Sequence, residues 1–167
     1  SADSELPFEQ HRDIFHLTGI DQEETILLLY PASKNYKTRE ILFIRKSDNH
    51  TKVWEGEKLS KKQANELSGI NNICYIEDFK DVLSSIATKV DTFYINKNEH
   101  YRANSPVETR EDRFISWLLK KYPAHNVAKS NPILQRQRSL KHPSEIDQIK
   151  RACEITGKGF NLSLIHI

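Results

Sequence analysis

The chain has 167 residues, 37% hydrophobic and 29% charged. That is enough for one domain with a proper core and a charged surface, and it excludes a disordered tract or a membrane chain. Its 25 Lys and Arg against 23 Asp and Glu leave a net charge of +2. The signs are interspersed, so no single-sign field draws nucleic acid. The longest apolar run, Ile26-Leu27-Leu28-Leu29-Tyr30, is far too short to span a membrane. Ser1 to Gln10 is acidic and lacks the apolar core of a secretory signal, so a cytoplasmic location is expected. Cys74 and Cys153 then read as free thiols in a reducing compartment, and Asn49-His50-Thr51 and Asn161-Leu162-Ser163 as coincidental glycosylation matches.

In chain order, PFEQHRDIFHLTG (Pro7 to Gly19) reads as a strand and turn that buries Phe8, Ile14, Phe15 and Leu17. Glu24 to Tyr30 and Arg39 to Arg45 are apolar runs on either side of Pro31-Ala32-Ser33-Lys34-Asn35, which predicts neighbouring antiparallel strands. Lys52 to Gly56 (KVWEG) is a short extended piece ending in a turn. Ser60 with Gln63 forms a capping box and Gly69 a stop, which predicts a helix over Ser60 to Ser68. Ile73 to Ile76 reads as a buried strand, Glu77 to Thr88 as an amphipathic helix and Thr92 to Asn96 as a strand. Ser105-Pro106-Val107-Glu108 opens a helix that runs to Tyr122-Pro123. Strand-like pieces follow at Asn126 to Ala128 and Ile133 to Arg136.

This alternation predicts an α/β domain: a mixed β-sheet with helices on both faces. The tail differs. Pro143 and Glu145 open a last helix on which Ile146, Ile149, Cys153, Thr156 and Phe160 form one stripe. The sequence ends within or just past that helix, where an intact protein would enter its next domain, so we read the chain as a fragment.

Candidate chemistry is sparse. His11, Asp13 and His16 suit zinc or manganese by ligand type, yet on a strand residues 11 and 13 share a face and 16 points away. The structural reading, in which Arg12 and Asp13 hold a turn, is preferred. Asp13 and His16 as the centre of an independent small-molecule enzyme are the outlying alternative. Trp54, beside a glycine turn, either packs or stacks on a ligand, and packing is the commoner role. Arg136 and Arg138 alternate on a strand-like piece and suit a phosphate, a carboxylate or a neighbouring domain. Phosphate-binding glycine loops, G-x-S-x-G and H-E-x-x-H are missing from the sequence.

Three stretches in order resemble one family. PFEQHRDIFHLTG is similar to the P-F-x-Q-x-x-D-F-Y-Y-L-T-G segment of the amino-terminal domain of Xaa-Pro aminopeptidases (aminopeptidase P). LFIRKSDNHTKVWEGEKLS is similar to that domain's strand, loop and W-x-G turn. LQRQRSLKHPSEIDQIKRACEITGKGF resembles the junction into the catalytic domain. The departures are His16 for an aromatic, Arg12 for a small polar residue, and His142 where Ser or Asp would cap the junction helix. A helix and strand that normally precede the P-F segment have no counterpart, and NLSLIHI does not resemble the usual continuation.

The resemblance implies a creatinase/prolidase-type amino-terminal domain over residues 1–140 that is non-catalytic, and a junction helix over 141–167 leading to a "pita-bread" domain. That second domain would carry two manganese ions and remove an N-terminal residue preceding proline. No catalytic or metal-ligating residue is expected in this chain, and no cofactor. The expected partners are its own catalytic domain, other copies in a homo-oligomer such as a dimer, and, for the parent, peptides with proline second. The domain would build the oligomer and wall off the cleft. Trp54 matches the tryptophan of the W-x-G turn, which implies substrate contact in a neighbouring subunit's site. The alternative is a stand-alone protein-interaction module of the same fold without peptidase activity.

Overall fold

The computed structural model describes residues 8–47, 52, 56–97 and 107–165. The chain forms two compact units, Ser1–Val90 and Asp91–Ile167. In the first, α1 (Arg12–Thr18), β1 (Ile26–Leu29), β2 (Glu40–Ile44), α2 (Lys61–Ser68), β3 (Ile73–Tyr75) and α3 (Phe79–Ala87) follow one another.

The sheet of this unit is mixed, as predicted. β2 pairs antiparallel with β1, with Leu27 opposite Leu42 and Leu28 opposite Ile41. On its other side β2 pairs parallel with β3, with Leu42 opposite Ile73 and Ile44 opposite Tyr75. Ile41, Leu42, Phe43 and Ile44 are all buried, the pattern of a strand covered on both faces. Leu42 and Ile44 join Ile20, Ala64, Ile70 and Ile73 in one core cluster, which places α2 on that face. Phe43 points the other way and meets the Phe79 ring of α3 edge-on at 5.2 Å. Helices therefore cover both faces of the sheet.

Local signals account for α2. Gln63 N–H donates to Ser60 Oγ at 3.3 Å, Ser60 N–H donates to Gln63 Oε1 at 2.9 Å, and Gly69 closes the helix at φ 70°.

The expected strand and turn at Pro7 to Gly19 is instead helix α1 within the described residues, since Pro7 lies outside them. Ile14, Leu17 and Thr18 follow a helical spacing inward, whereas Phe8 and Phe15, expected to be buried, are 52% and 51% exposed. His11 caps the helix through Nδ1, which accepts from Asp13 N–H at 3.3 Å. Gly19, at φ 66°, supplies the left-handed residue that ends it, donating to the Phe15 carbonyl at 2.7 Å.

The second unit holds β4 (Thr92–Ile95), α4 (Arg110–Lys121), β5 (Asn126–Lys129), α5 (Asn131–Ser139) and α6 (Pro143–Ile165). β4 and β5 pair in parallel, with Phe93 opposite Val127, as a separate two-stranded sheet. Phe93 stacks on His125 at 5.0 Å and lies 5.7 Å from Tyr122, while Trp117 meets Tyr122 edge-on at 6.3 Å. Leu118 is the residue of α4 that buries fully.

Two elements of this unit differ from expectation. α4 opens at Arg110, not at Ser105, which lies outside the described residues with Pro106. Thr109 and Asp112 form a reciprocal capping box there, with Asp112 N–H donating to Thr109 Oγ1 at 3.2 Å. Ile133 to Arg136, expected as strand-like, is helical within α5. Pro132 in the first turn is preset for a helix, and Ile133 and Leu134 N–H both reach the Ser130 carbonyl. On a helix Arg136 and Arg138 stand two residues apart and share no face.

Phe43→Ala should lower unfolding free energy by about 3–5 kcal/mol, read as a fall in urea midpoint at unchanged slope. The Thr109 hydroxyl, and then the Lys97 ammonium 3.0 Å away, pull the Asp112 carboxyl from 3.8 down to about 2. Its folded value is depressed, so its contribution is complete above the ordinary Asp value and lost as pH falls toward 2. The stability advantage of wild type over Asp112→Asn should accordingly shrink across that window in urea titrations.

Candidate functional site

The three expected candidates fall on one short helix. His11 caps α1, Asp13 sits in its first turn and His16 in its last. His11 Nδ1 and Asp13 Oδ2 are 4.0 Å apart, and the same nitrogen accepts from the Asp13 backbone. Among the described residues no three His, Cys, Asp or Glu side chains gather as a metal would require. The donor set of this chain therefore does not fit a metal centre there. Trp54 lies outside the described residues. Cys74 is half-buried and Cys153 exposed, both as free thiols.

An ion-pair cluster of the first unit was not anticipated from the sequence. Between α1 and β1, Gln22 is buried, and its Oε1 accepts from Leu59 N–H at 2.7 Å while its carbonyl accepts from Gln10 Nε2 at 2.7 Å. The adjacent Glu23 bonds the Lys58 ammonium, whose side chain is only 8% exposed, and lies 3.8 Å from Arg45 Nη1. Arg45 Nε also reaches Glu24 Oε2 at 3.5 Å. Glu24 takes φ 55°, a left-handed conformation uncommon for a residue with a side chain. Burial penalises the charged form of Glu23, but the bonded Lys58 and the nearby Arg45 outweigh it and hold the carboxyl below its ordinary value. Opposite charges either side of two strands were visible in the sequence, but nothing in their spacing marks a pairing 35 residues apart.

The second feature is α6. At 1.5 Å per residue its 23 residues extend about 35 Å. Every described side chain from Pro143 to Leu164 is exposed. Ile149, Ala152, Cys153, Thr156, Gly157 and Phe160 line one shallow apolar groove along it. Ile146, Ile149 and Phe160, members of the predicted stripe, stand 41%, 50% and 66% exposed. His142, which stands where Ser or Asp would cap the junction helix, does bond at the helix start. His142 N–H donates to Glu145 Oε2 at 2.8 Å, and its Nδ1 receives Ser144 N–H at 3.4 Å. No helix among the described residues is long and apolar enough to cross a membrane.

The family model for the aminopeptidase P N-terminal domain matches residues 1–94, and the chain belongs to that family. It is similar to the Xaa-Pro aminopeptidase of Escherichia coli, 26% identical over 93% of this chain and 35% of that one. It is also similar to human Xaa-Pro aminopeptidase 3, 22% identical over 96% of this chain and 31% of the other. Among solved structures, a Bacillus anthracis chain assigned to aminopeptidase P superposes with a TM-score of 0.84 at 28% identity, covering 96% of this chain and 38% of that one. Escherichia coli aminopeptidase P in its low-pH form gives 0.73 at 26% identity, covering 93% of this chain and 36% of that one. The chain thus spans about a third of the length of the curated relatives it matches.

An apolar face of this length in water favours association. Sedimentation of the 167-residue chain should show self-association that rises with concentration and is reduced by Ile149→Ser with Phe160→Ser. A concentration-independent monomer would count against the face as a contact surface.

Proposed function

We propose that this chain is the amino-terminal part of a metal-dependent Xaa-Pro aminopeptidase, which removes an N-terminal residue preceding proline. The observation that supports this reading is the coincidence of the family match over residues 1–94 with a fold similarity that spans nearly the whole chain. In this reading residues 1–140 are the non-catalytic domain, and 141–167, with α6, are the junction helix whose exposed stripe packs on the catalytic domain. The two manganese ions and their ligands belong to that second domain. An X-Pro bond is a tertiary amide, and bound metal supplies the carbonyl polarisation and activated water it needs. The residues of this chain do other work. They build the homo-oligomer, restrict the cleft to short peptide N-termini, and bring Trp54 to a neighbouring subunit's site in the cytoplasm.

The experiment has two arms. The 167-residue chain with manganese should cleave no Xaa-Pro peptide above a metal blank, whereas the same chain continued through its downstream domain should do so. In that longer protein Trp54→Ala should lower kcat/KM about tenfold, mainly through KM, because a contact outside the reacting centre contributes to binding. A longer protein that folds, lacks cleavage and captures another protein through α6 would replace this reading with the interaction module.

A further inference from the structure

We propose that His142 is a pH-sensitive cap: its neutral imidazole closes the first turn of α6, and protonation of the ring opens that turn. The joint that precedes it is short. α5 ends at Ser139, Leu140 is extended at φ −91° and ψ 114°, and α6 begins at Pro143. Leu140 is 80% exposed, so packing does not hold the joint. Side-chain bonds do, one set on each side. Towards α5, Lys141 Nζ donates to the Arg138 and Ser139 carbonyls. Towards α6, His142 N–H donates to Glu145 Oε2 at 2.8 Å, and His142 Nδ1 accepts from Ser144 N–H at 3.4 Å. This is a reciprocal capping box with an imidazole in the place of the usual hydroxyl.

Only a neutral ring can close it. Accepting at Nδ1 puts the ring's hydrogen on Nε2, whereas an imidazolium carries hydrogen on both nitrogens and has no lone pair to offer. Its proton at Nδ1 would face the Ser144 N–H, and its charge would stand at the positive end of the helix dipole. Histidine changes charge between about pH 5 and 8, where a lysine ammonium does not titrate. The Lys141 side of the joint therefore stays as it is while the His142 side lets go. The charged groups beside the ring are Glu145 on α6, Lys141 in the joint and Arg138 at the end of α5. Glu145 Oε2 holds the His142 backbone N–H, and the ring itself bonds Ser144 and forms no ion pair among the described residues.

The other helix starts lack this sensitivity. α2 and α4 are capped by the hydroxyls of Ser60 and Thr109, which do not titrate. His11 caps α1 through Nδ1, but Asp13 Oδ2 lies 4.0 Å from that nitrogen as a ready partner for a charged ring, and α1 also buries Thr18. α6 buries no described side chain, so no packing holds its first turn once the cap is lost. Opening that turn takes Ile146 out of the apolar stripe.

Heteronuclear NMR of the 167-residue chain tests this. Near pH 8 the His142 ring nitrogens should report the Nε2–H tautomer, and Ser144, Glu145 and Ile146 should show helical Cα shifts. At about pH 5.5, which leaves ordinary carboxylates charged, the ratio of closed to open first turn should fall about fivefold, with the midpoint of His142's own ring titration. His142 is exposed, so its replacement disturbs no core. His142→Ser, capping at any pH, should keep the helical shifts under both conditions, and His142→Ala should show the open-turn shifts under both. An Nδ1–H tautomer near pH 8, unchanged wild-type shifts on acidification, or an equal loss in His142→Ser would overturn the proposal.

Discussion

The burial of β2 on both faces is the constraint on which the first unit depends. Four consecutive side chains, Ile41 to Ile44, leave water together, and a strand can do this only with a helix on each side and a strand along each edge. Each of those neighbours is recruited by a different atom set. Ala64 lets α2 approach the Leu42–Ile44 face closely, Phe79 fills the Phe43 side, and β1 and β3 satisfy the backbone. Ile20, directly after the Gly19 stop of α1, belongs to the same cluster. The glycine that ends α1 thus also delivers the chain into the core. The loops between these elements inherit fixed starting points, and the ion pairs of Glu23 and Arg45 are built on them.

The second unit is held differently. Among the described residues its sheet has two strands, and the aromatic rings of Phe93, Trp117, Tyr122 and His125 link β4 to the end of α4. α6 contributes an apolar face with no described side chain buried, in contrast to α2 and α3. A helix of that composition gains most of its stability from what lies against it, since in proteins the packing of an amphipathic face contributes more than intrinsic propensity. Family membership and the length of the relatives are consistent with a covering domain, and that is the sense in which the unit reads as one side of a larger joint.

Much of this was legible in the residues. β1, β2, β3 and β4 were marked by short apolar or aromatic runs, β5 by a strand-like piece at Asn126 to Ala128, and α2 by a capping box and a glycine stop. The failures have a common origin. PFEQHRDIFHLTG and PILQR each offer a short apolar run whose period does not separate helix from strand. In both, the deciding feature was an end signal: a histidine ring nitrogen acting as a cap at His11, and a proline fixing the first turn at Pro132. Histidine is a weaker entry in the usual capping repertoire than Ser or Asp, so His11 did not announce itself. The site was less legible than the fold. Glu23 and Lys58 meet through the return of a chain across 35 residues, which no local pattern encodes.

Cys153 lies in the middle of the apolar face of α6, exposed, while Cys74 is half-buried near Asn72 in the first unit. The protein therefore carries its own footprinting reagent. A soft, uncharged thiol placed among isoleucines costs the face none of its apolar character, yet it reacts with alkylating agents only when water and reagent can reach it. Coverage of α6, by whatever domain or copy lies against it, converts directly into the alkylation rate of one sulfur. Mass spectrometry can follow that rate on the unmodified sequence without introducing a label.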